Sequence, residues 1–191
     1  RISYSVKYTP DKKQEETSES KVVTALYVKP KPKKKKTSRS SSYKSGVRIL
    51  SSSRKSSSGF IFPVAGCSIK DVGNRRYPSY RGHTGIDINS ARAKQSSVVA
   101  AKSGKVIVSE AKVSHGRYYS YGEYVVIQHG DGKQTLYAHM RPGSRTVSVG
   151  DIVKQGQVIG RVGSTGNSTG AHLHFEVKIN GRAVNPFNYL Y

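Results

Sequence analysis

Apolar and polar residues alternate in short runs through the C-terminal two thirds of the chain, the signature of half-buried β-strands. The runs fall at 85–88, 98–101, 105–109, 124–129, 134–139, 151–153, 157–161 and 172–179. Turn residues separate them at close spacing, and Gly130-Asp131-Gly132 reads as a hairpin turn. Segments 104–107 and 149–160 read as repeated strand–turn–strand units, and no window carries the apolar period of an amphipathic helix. The pattern predicts an all-β domain of antiparallel β-sheets in a narrow sandwich or open barrel. It begins where apolar residues return, at Gly59-Phe60-Ile61-Phe62-Pro63-Val64, with Pro63 marking an edge strand or a strand end.

The first 58 residues read differently. Residues 1–9 and 22–29 alternate like strands around a charged stretch, but two strands are too few to fold alone. Residues 1–30 are therefore expected to end an upstream β-module truncated in this chain, with any signal or anchor region outside it. Residues 31–58 are rich in Lys, Pro and Ser and cannot bury enough apolar surface to offset chain entropy, which predicts a disordered basic linker. The net charge of +22 divides into +12 for residues 1–58 and +10 for 59–191. Such a field favours polyanions: nucleic acid, an anionic membrane surface, or phosphate-rich wall polymers. A merely solvated spacer would share the linker's composition. Nothing downstream resembles a base-reading module, so no specific nucleic-acid partner is expected. One cysteine excludes an internal disulfide framework and a cysteine-rich zinc site. Cys67 follows a run that mimics a lipoprotein cleavage site, but serine and arginine stand where the apolar targeting helix would be, so it is expected in or beside the core. No run approaches the roughly 18 apolar residues of a transmembrane helix.

Candidate chemistry sits on the alternating runs. In 171–177, His172, His174 and Glu176 share one strand face, and Leu173, Phe175 and Val177 the other. Upstream, His83 and Asp87 lie four apart and face the same way on a strand, with Ile86 and Ile88 toward the core. Together with one histidine of the 172/174 pair they make a three-ligand set. Two neutral imidazoles and one carboxylate around Zn²⁺ leave a net charge near +1 and a fourth position for water, as catalytic rather than structural sites do. In Tyr137-Ala138-His139-Met140, alternation puts His139 on the face of Tyr137, opposite Leu136, Ala138 and Met140. His139 and the unligated member of the pair could position water, move a proton or stabilise an oxyanion. These are four of only six histidines; His129 reads as structural and Glu176 as a surface residue or a partner of His174. The Gly/Ser/Thr-rich loop 163–170 lacks the Gly-Lys-Ser/Thr ending of a phosphate cradle. Its small side chains, Gly163, Ser164, Thr165, Gly166 and Asn167, would let a substrate backbone come close.

Three blocks, His83-Thr84-Gly85-Ile86-Asp87, Leu136-Tyr137-Ala138-His139-Met140 and the stretch 163–177, resemble in order the signature blocks of the lysostaphin-type (LytM-like) zinc metalloendopeptidases. The resemblance covers about residue 60 to 186 and implies a duplicated-hybrid-motif-like fold for a 59–191 zinc endopeptidase domain. It implies one Zn²⁺ held by His83, Asp87 and His174, with His139 and His172 catalytic. It further implies a peptidoglycan hydrolase of the bacterial cell envelope or extracellular space, cutting amide bonds in stem peptides or cross-bridges by attack of a zinc-activated water. Some relatives use a tyrosine upstream of the first ligand as a transition-state stabiliser, and Tyr77 and Tyr80 precede His83 at suitable distances. The basic linker would then tether the enzyme near peptidoglycan, anionic wall polymers or the membrane surface. Competing with hydrolysis are a non-catalytic wall-binding or hydrolase-activator module on the same fold, an acyl-carrier or sugar-transport β-domain suggested by 147–160, and a nucleic-acid binder resting on charge alone.

Overall fold

The computed structural model describes residues 56–78 and 82–190. The expectations for 1–30, most of those for 31–58, and Tyr80 lie outside the described residues. Ser56 and Ser58 already donate to the Tyr189 carbonyl (2.5 and 2.7 Å), tying the start of the described chain to its end.

Among the described residues there are nine strands: β1 (Ile86–Ile88), β2 (Ser97–Val99), β3 (Gly104–Ser114), β4 (Arg117–His129), β5 (Lys133–Met140), β6 (Ile152–Val153), β7 (Val158–Arg161), β8 (Leu173–Ile179) and β9 (Arg182–Val184). One helical turn, α1 (Phe187–Leu190), follows. All pairings are antiparallel. The large sheet runs β1-β8-β5-β4-β3-β6, with β9 continuing the β1 edge of β8, and curls into a half-barrel. β2 and β7 form a separate two-stranded sheet. No described helix is long and apolar enough to cross a membrane.

The two faces of the large sheet bury different things. One contributes Val125, Ile127, Tyr137, Leu173, Phe175 and Val177 to the main core, together with Val98 and Ile159 of the small sheet and Phe60, Phe62 and Val64. Each fully buried side chain of this size contributes about 1.5–3 kcal/mol of apolar burial. Cys67 lies at this core as expected. The other face carries a smaller cluster, Tyr124, Val126, Leu136 and Ala138, and beside it the polar residues of β8. His129 is structural: its Nδ1–H donates to the Ser103 carbonyl (3.0 Å) and its Nε2 meets the Thr135 hydroxyl (2.9 Å).

Two irregularities shape the second face. In β5 the register passes from Val125↔Tyr137 to Glu123↔Met140, so Ala138 and His139 together oppose Tyr124 alone. His139 takes φ 59 there, the left-handed conformation of a bulge. Simple alternation placed His139 with Tyr137 and Met140 with Leu136 and Ala138. The extra residue reverses both: Met140 enters the main core, and His139 turns to the face of Ala138 and its β8 partner His174. In β4, Tyr119–Gly122 bulge out opposite Lys112, between the pairs Ala111↔Glu123 and Val113↔Tyr118. Ser120 and Gly122 take φ 51 and 60 to make this excursion. The strands β3 and β4 continue beyond it as an arm closed by His115-Gly116, both left-handed (φ 49 and 73), as a two-residue hairpin requires. The arm exceeds the expected 105–109 and 124–129 because few of its residues are buried and no apolar alternation marks it.

Candidate metal and catalytic site

β8 runs between β1 and β5, with Asp87 and Ala138 both in register with His174. His83 does not share the strand with Asp87, as alternation had suggested; it lies in the irregular segment before β1, and its Nε2 still reaches Asp87 Oδ1. His83 Nε2, Asp87 Oδ1 and His174 Nδ1 form a triangle with edges of 3.1, 3.1 and 3.0 Å. These three residues form a cluster that could hold a metal ion, their donor atoms all within 4.8 Å of one another. Tetrahedral zinc with bonds of about 2.0–2.1 Å needs donors about 3.3 Å apart, so the triangle accepts the ion with an expansion of a few tenths of an ångström. The donor chemistry fits as well, being two imidazole nitrogens and one carboxylate oxygen.

His139 and His172 border this triangle. Their ring centroids are 4.8 Å apart, and His139 stands 5.8 Å from His174. Each has its Nδ1–H held by a backbone carbonyl: His139 by Thr165 (2.7 Å), His172 by Gly170 (2.8 Å). Both rings therefore keep Nε2 clear of these carbonyls, and His172 Nε2 lies 3.7 Å from Asp87 Oδ1. Burial pushes the His139 imidazolium down to about 4, against the bond it donates to the Thr165 carbonyl. Burial works to raise the Asp87 carboxyl, but hydrogen bonding to His174 and the charges of His172, His174 and His83 outweigh it and hold it at about 2.

Glu176 is not a surface residue. It is fully buried, and its Oε1 accepts from His174 Nε2 (3.0 Å), Tyr121 Oη (2.8 Å) and the Thr84 hydroxyl. Lys178 Nζ lies 2.9 Å from Oε2, an ion pair without hydrogen-bond alignment. Burial opposes ionisation of Glu176, and these donors and the lysine prevail, giving about 2. Burial likewise lowers the His174 imidazolium, but the bonds to Asp87 and Glu176 and their charges reverse this and leave it raised.

An open cleft of about 600 Å³ covers the cluster, with His139, His172, Ser120, Tyr121 and 167–169 on its walls. A smaller lobe of about 230 Å³ adjoins it past Asp87 and His172 and holds Lys94 and Asn89. Within loop 163–170 the expected small residues divide. Asn167 faces the cleft, as do Ser168 and Thr169, whereas Gly163 and Gly166 are small because the chain itself crowds them. A Cβ on Gly163 would strike the Arg141 backbone, and one on Gly166 (φ 75) the Ser120 carbonyl. Ser164 bonds to Ser168 (2.9 Å). Thr165 is buried, its hydroxyl accepting from Glu123 N (2.9 Å) and donating to Met140 O (2.7 Å), which bridges the ladder where the β5 bulge interrupts it. Asn167 ties the loop to the β4 bulge, with Ser120 N donating to its Oδ1 (3.0 Å) and its own N–H to Ser120 O (2.8 Å). Tyr77 packs against the main core and donates to the carbonyl of Thr84 (3.5 Å), one of the residues lining the cleft. Sequence reasoning missed Tyr121 and Ser120; the tyrosine-rich run before Gly122 was the available signal.

Comparison with known proteins follows the same residues. The chain is 45% identical over 117 residues to the DD-carboxypeptidase/endopeptidase Mpg of Neisseria meningitidis, a match covering 60% of this chain and 25% of that protein. It is 35% identical over 133 residues to the murein hydrolase activator NlpD of Salmonella dublin, covering 70% of this chain and 32% of that one. The chain thus spans about a quarter to a third of these relatives. Among solved structures, a zinc containing peptidase from Vibrio cholerae superposes with a TM-score of 0.50 at 31% identity, over 69% of this chain and 39% of that chain. The family profile of Peptidase family M23 matches residues 81–186, more than half of the sequence and the whole of the cleft. With that match and this histidine–aspartate cluster in hand, the chain belongs to Peptidase family M23.

Proposed function

We propose that the chain is a zinc-dependent endopeptidase that hydrolyses amide bonds in peptidoglycan stem peptides or cross-bridges, working in the bacterial envelope or outside the cell. The observation that supports it most is the triangle of His83, Asp87 and His174 with two further imidazoles aimed beside it. His83, Asp87 and His174 would hold one Zn²⁺. Bound there, zinc supplies Lewis acidity, polarising a carbonyl and bringing the pKa of a water toward neutrality.

The chain's own residues do the rest. Backbone carbonyls fix both His139 and His172 in the tautomer that presents Nε2 to the cleft, so either ring can take a proton without first turning over. Once protonated, that Nε2 becomes a donor for a developing oxyanion or for the departing amine. Burial keeps His139 neutral, and therefore proton-accepting, at physiological pH. Asn167 and Ser120, cross-linked to each other, give the cleft a polar wall for a peptide backbone. Tyr121 cannot stabilise an oxyanion while its hydroxyl is committed to Glu176. Residues 31–58 would hold the domain near anionic wall polymers by charge alone.

The relation to NlpD favours a second reading, an activator that binds the wall without cutting it. Incubating the full chain with isolated cell walls, with and without chelator, beside His174→Ala and His139→Ala, separates the two. Peptide-bond cleavage that requires zinc and both histidines is expected. Zinc binding without any cleavage would favour the activator, and full activity in His139→Ala would overturn the assigned roles.

A further inference from the structure

Glu176 is a fully buried carboxylate that neither coordinates nor faces the cleft, and burying a charge is costly unless it is paired and hydrogen-bonded. Its partners come from three separate parts of the chain. His174 is a candidate ligand on β8; Thr84 directly follows the candidate ligand His83; Tyr121 stands on the β4 bulge and forms part of the cleft wall. All three donate to the same oxygen, Oε1, while Lys178 balances the charge at Oε2.

We propose that Glu176 is the positioning residue of the metal centre: it holds both ligand-bearing segments together before an ion arrives, with Thr84 and Tyr121 as its clamps. This rests on the metal-centre reading above. Accepting the Nε2–H of His174 turns Nδ1 toward His83 and Asp87, so Nδ1 is the nitrogen left to coordinate an ion. Accepting the Thr84 hydroxyl pins the backbone next to His83, in the segment that leads into β1. Accepting Tyr121 joins the cleft wall to the same anchor, so a change in that wall reaches the ligand set through one atom.

The test measures zinc affinity of the full chain by competition with a chromophoric chelator. Variants are Glu176→Gln, Thr84→Val, Tyr121→Phe and the double variant Glu176→Gln/Tyr121→Phe, with thermal melting of the zinc-free proteins as the fold control. Glu176→Gln is expected to weaken zinc binding about 10–100-fold. Thr84→Val and Tyr121→Phe each lose about tenfold or less, and Tyr121→Phe adds less than about twofold in the Glu176→Gln background, because the clamp acts through the carboxylate. The ¹⁵N spectrum of the zinc-loaded wild type should show His174 protonated at Nε2. If Glu176→Gln does not fold, the two clamp variants carry the test. Zinc affinities within about twofold of wild type in all folded variants, or an equal cost of Tyr121→Phe in both backgrounds, overturn the proposal. A wild-type chain that binds no zinc at all overturns the metal-centre reading, and this inference with it.

Discussion

Replacing Thr165 by valine is expected to cost about 2–6 kcal/mol, although it changes almost nothing in shape. The threonine hydroxyl accepts from Glu123 N–H and donates to Met140 C=O, residues paired across the ladder at the edge of the β5 bulge. Valine fills the same space and bonds to neither. A buried N–H and a buried C=O then lose their partners at about 1–3 kcal/mol each. Against a total stability of about 5–15 kcal/mol, this is a large fraction. Equilibrium urea unfolding followed by circular dichroism reads it as a lower midpoint at an unchanged slope. Thr165→Ser keeps the hydroxyl and should recover most of the loss. Because the Thr165 carbonyl also holds His139 Nδ1, hydrolysis by folded Thr165→Val should fall as well. A Thr165→Val protein within about 0.5 kcal/mol of wild type would refute the reasoning, since Glu123 and Met140 could then pair without the bridge.

Other outcomes follow from single contacts. Gly166→Ala must hold φ 75 with a Cβ against the Ser120 carbonyl, so it should lower the melting temperature by several degrees, which calorimetry checks; an unchanged value would show that the loop can move off the β4 bulge. Burial lowers the His129 pKa, so the fold favours its neutral form and that stabilisation is complete above the unfolded value of about 6.5. It is lost as pH falls from there toward the folded value, at up to about 1.4 kcal/mol per pH unit, and urea titrations of His129→Gln should lack this limb. Zinc at about a hundredfold over its Kd should stabilise the chain by about 2.7 kcal/mol, and a chelator should remove that gain; melting curves that ignore both would argue against a bound ion. Changing Lys33, Lys34, Lys35 and Lys36 to glutamine should reduce salt-sensitive pull-down of the full chain by isolated walls, and equal pull-down would remove the tether.

The β8 strand was legible because every odd member of 173–177 is apolar and packs into the core, which leaves His174 and Glu176 one direction to face. Asp87 was legible for the same reason, standing between Ile86 and Ile88. His83 joined the set in spite of the reasoning used for it, since an irregular segment and not a strand delivers its ring. The depth of Glu176 was hidden because a carboxylate in a sequence looks solvated until its donors are known, and Thr84 and Tyr121 come from 92 and 55 residues away. Gly163 and Gly166 were read as room for a ligand when they are room for the chain's own backbone. Local sequence shows that a residue is small, but not what passes over it.

The bulge at His139 has a consequence for anyone moving this chemistry elsewhere. A regular β-strand carrying Tyr-Ala-His-Met would aim the imidazole into the hydrophobic interior, so copying side-chain identities onto an ideal sheet would bury the His139 ring on the wrong side. The site's address is written partly as an insertion, and a designer must transplant the left-handed residue and its Thr165 bridge along with the histidine.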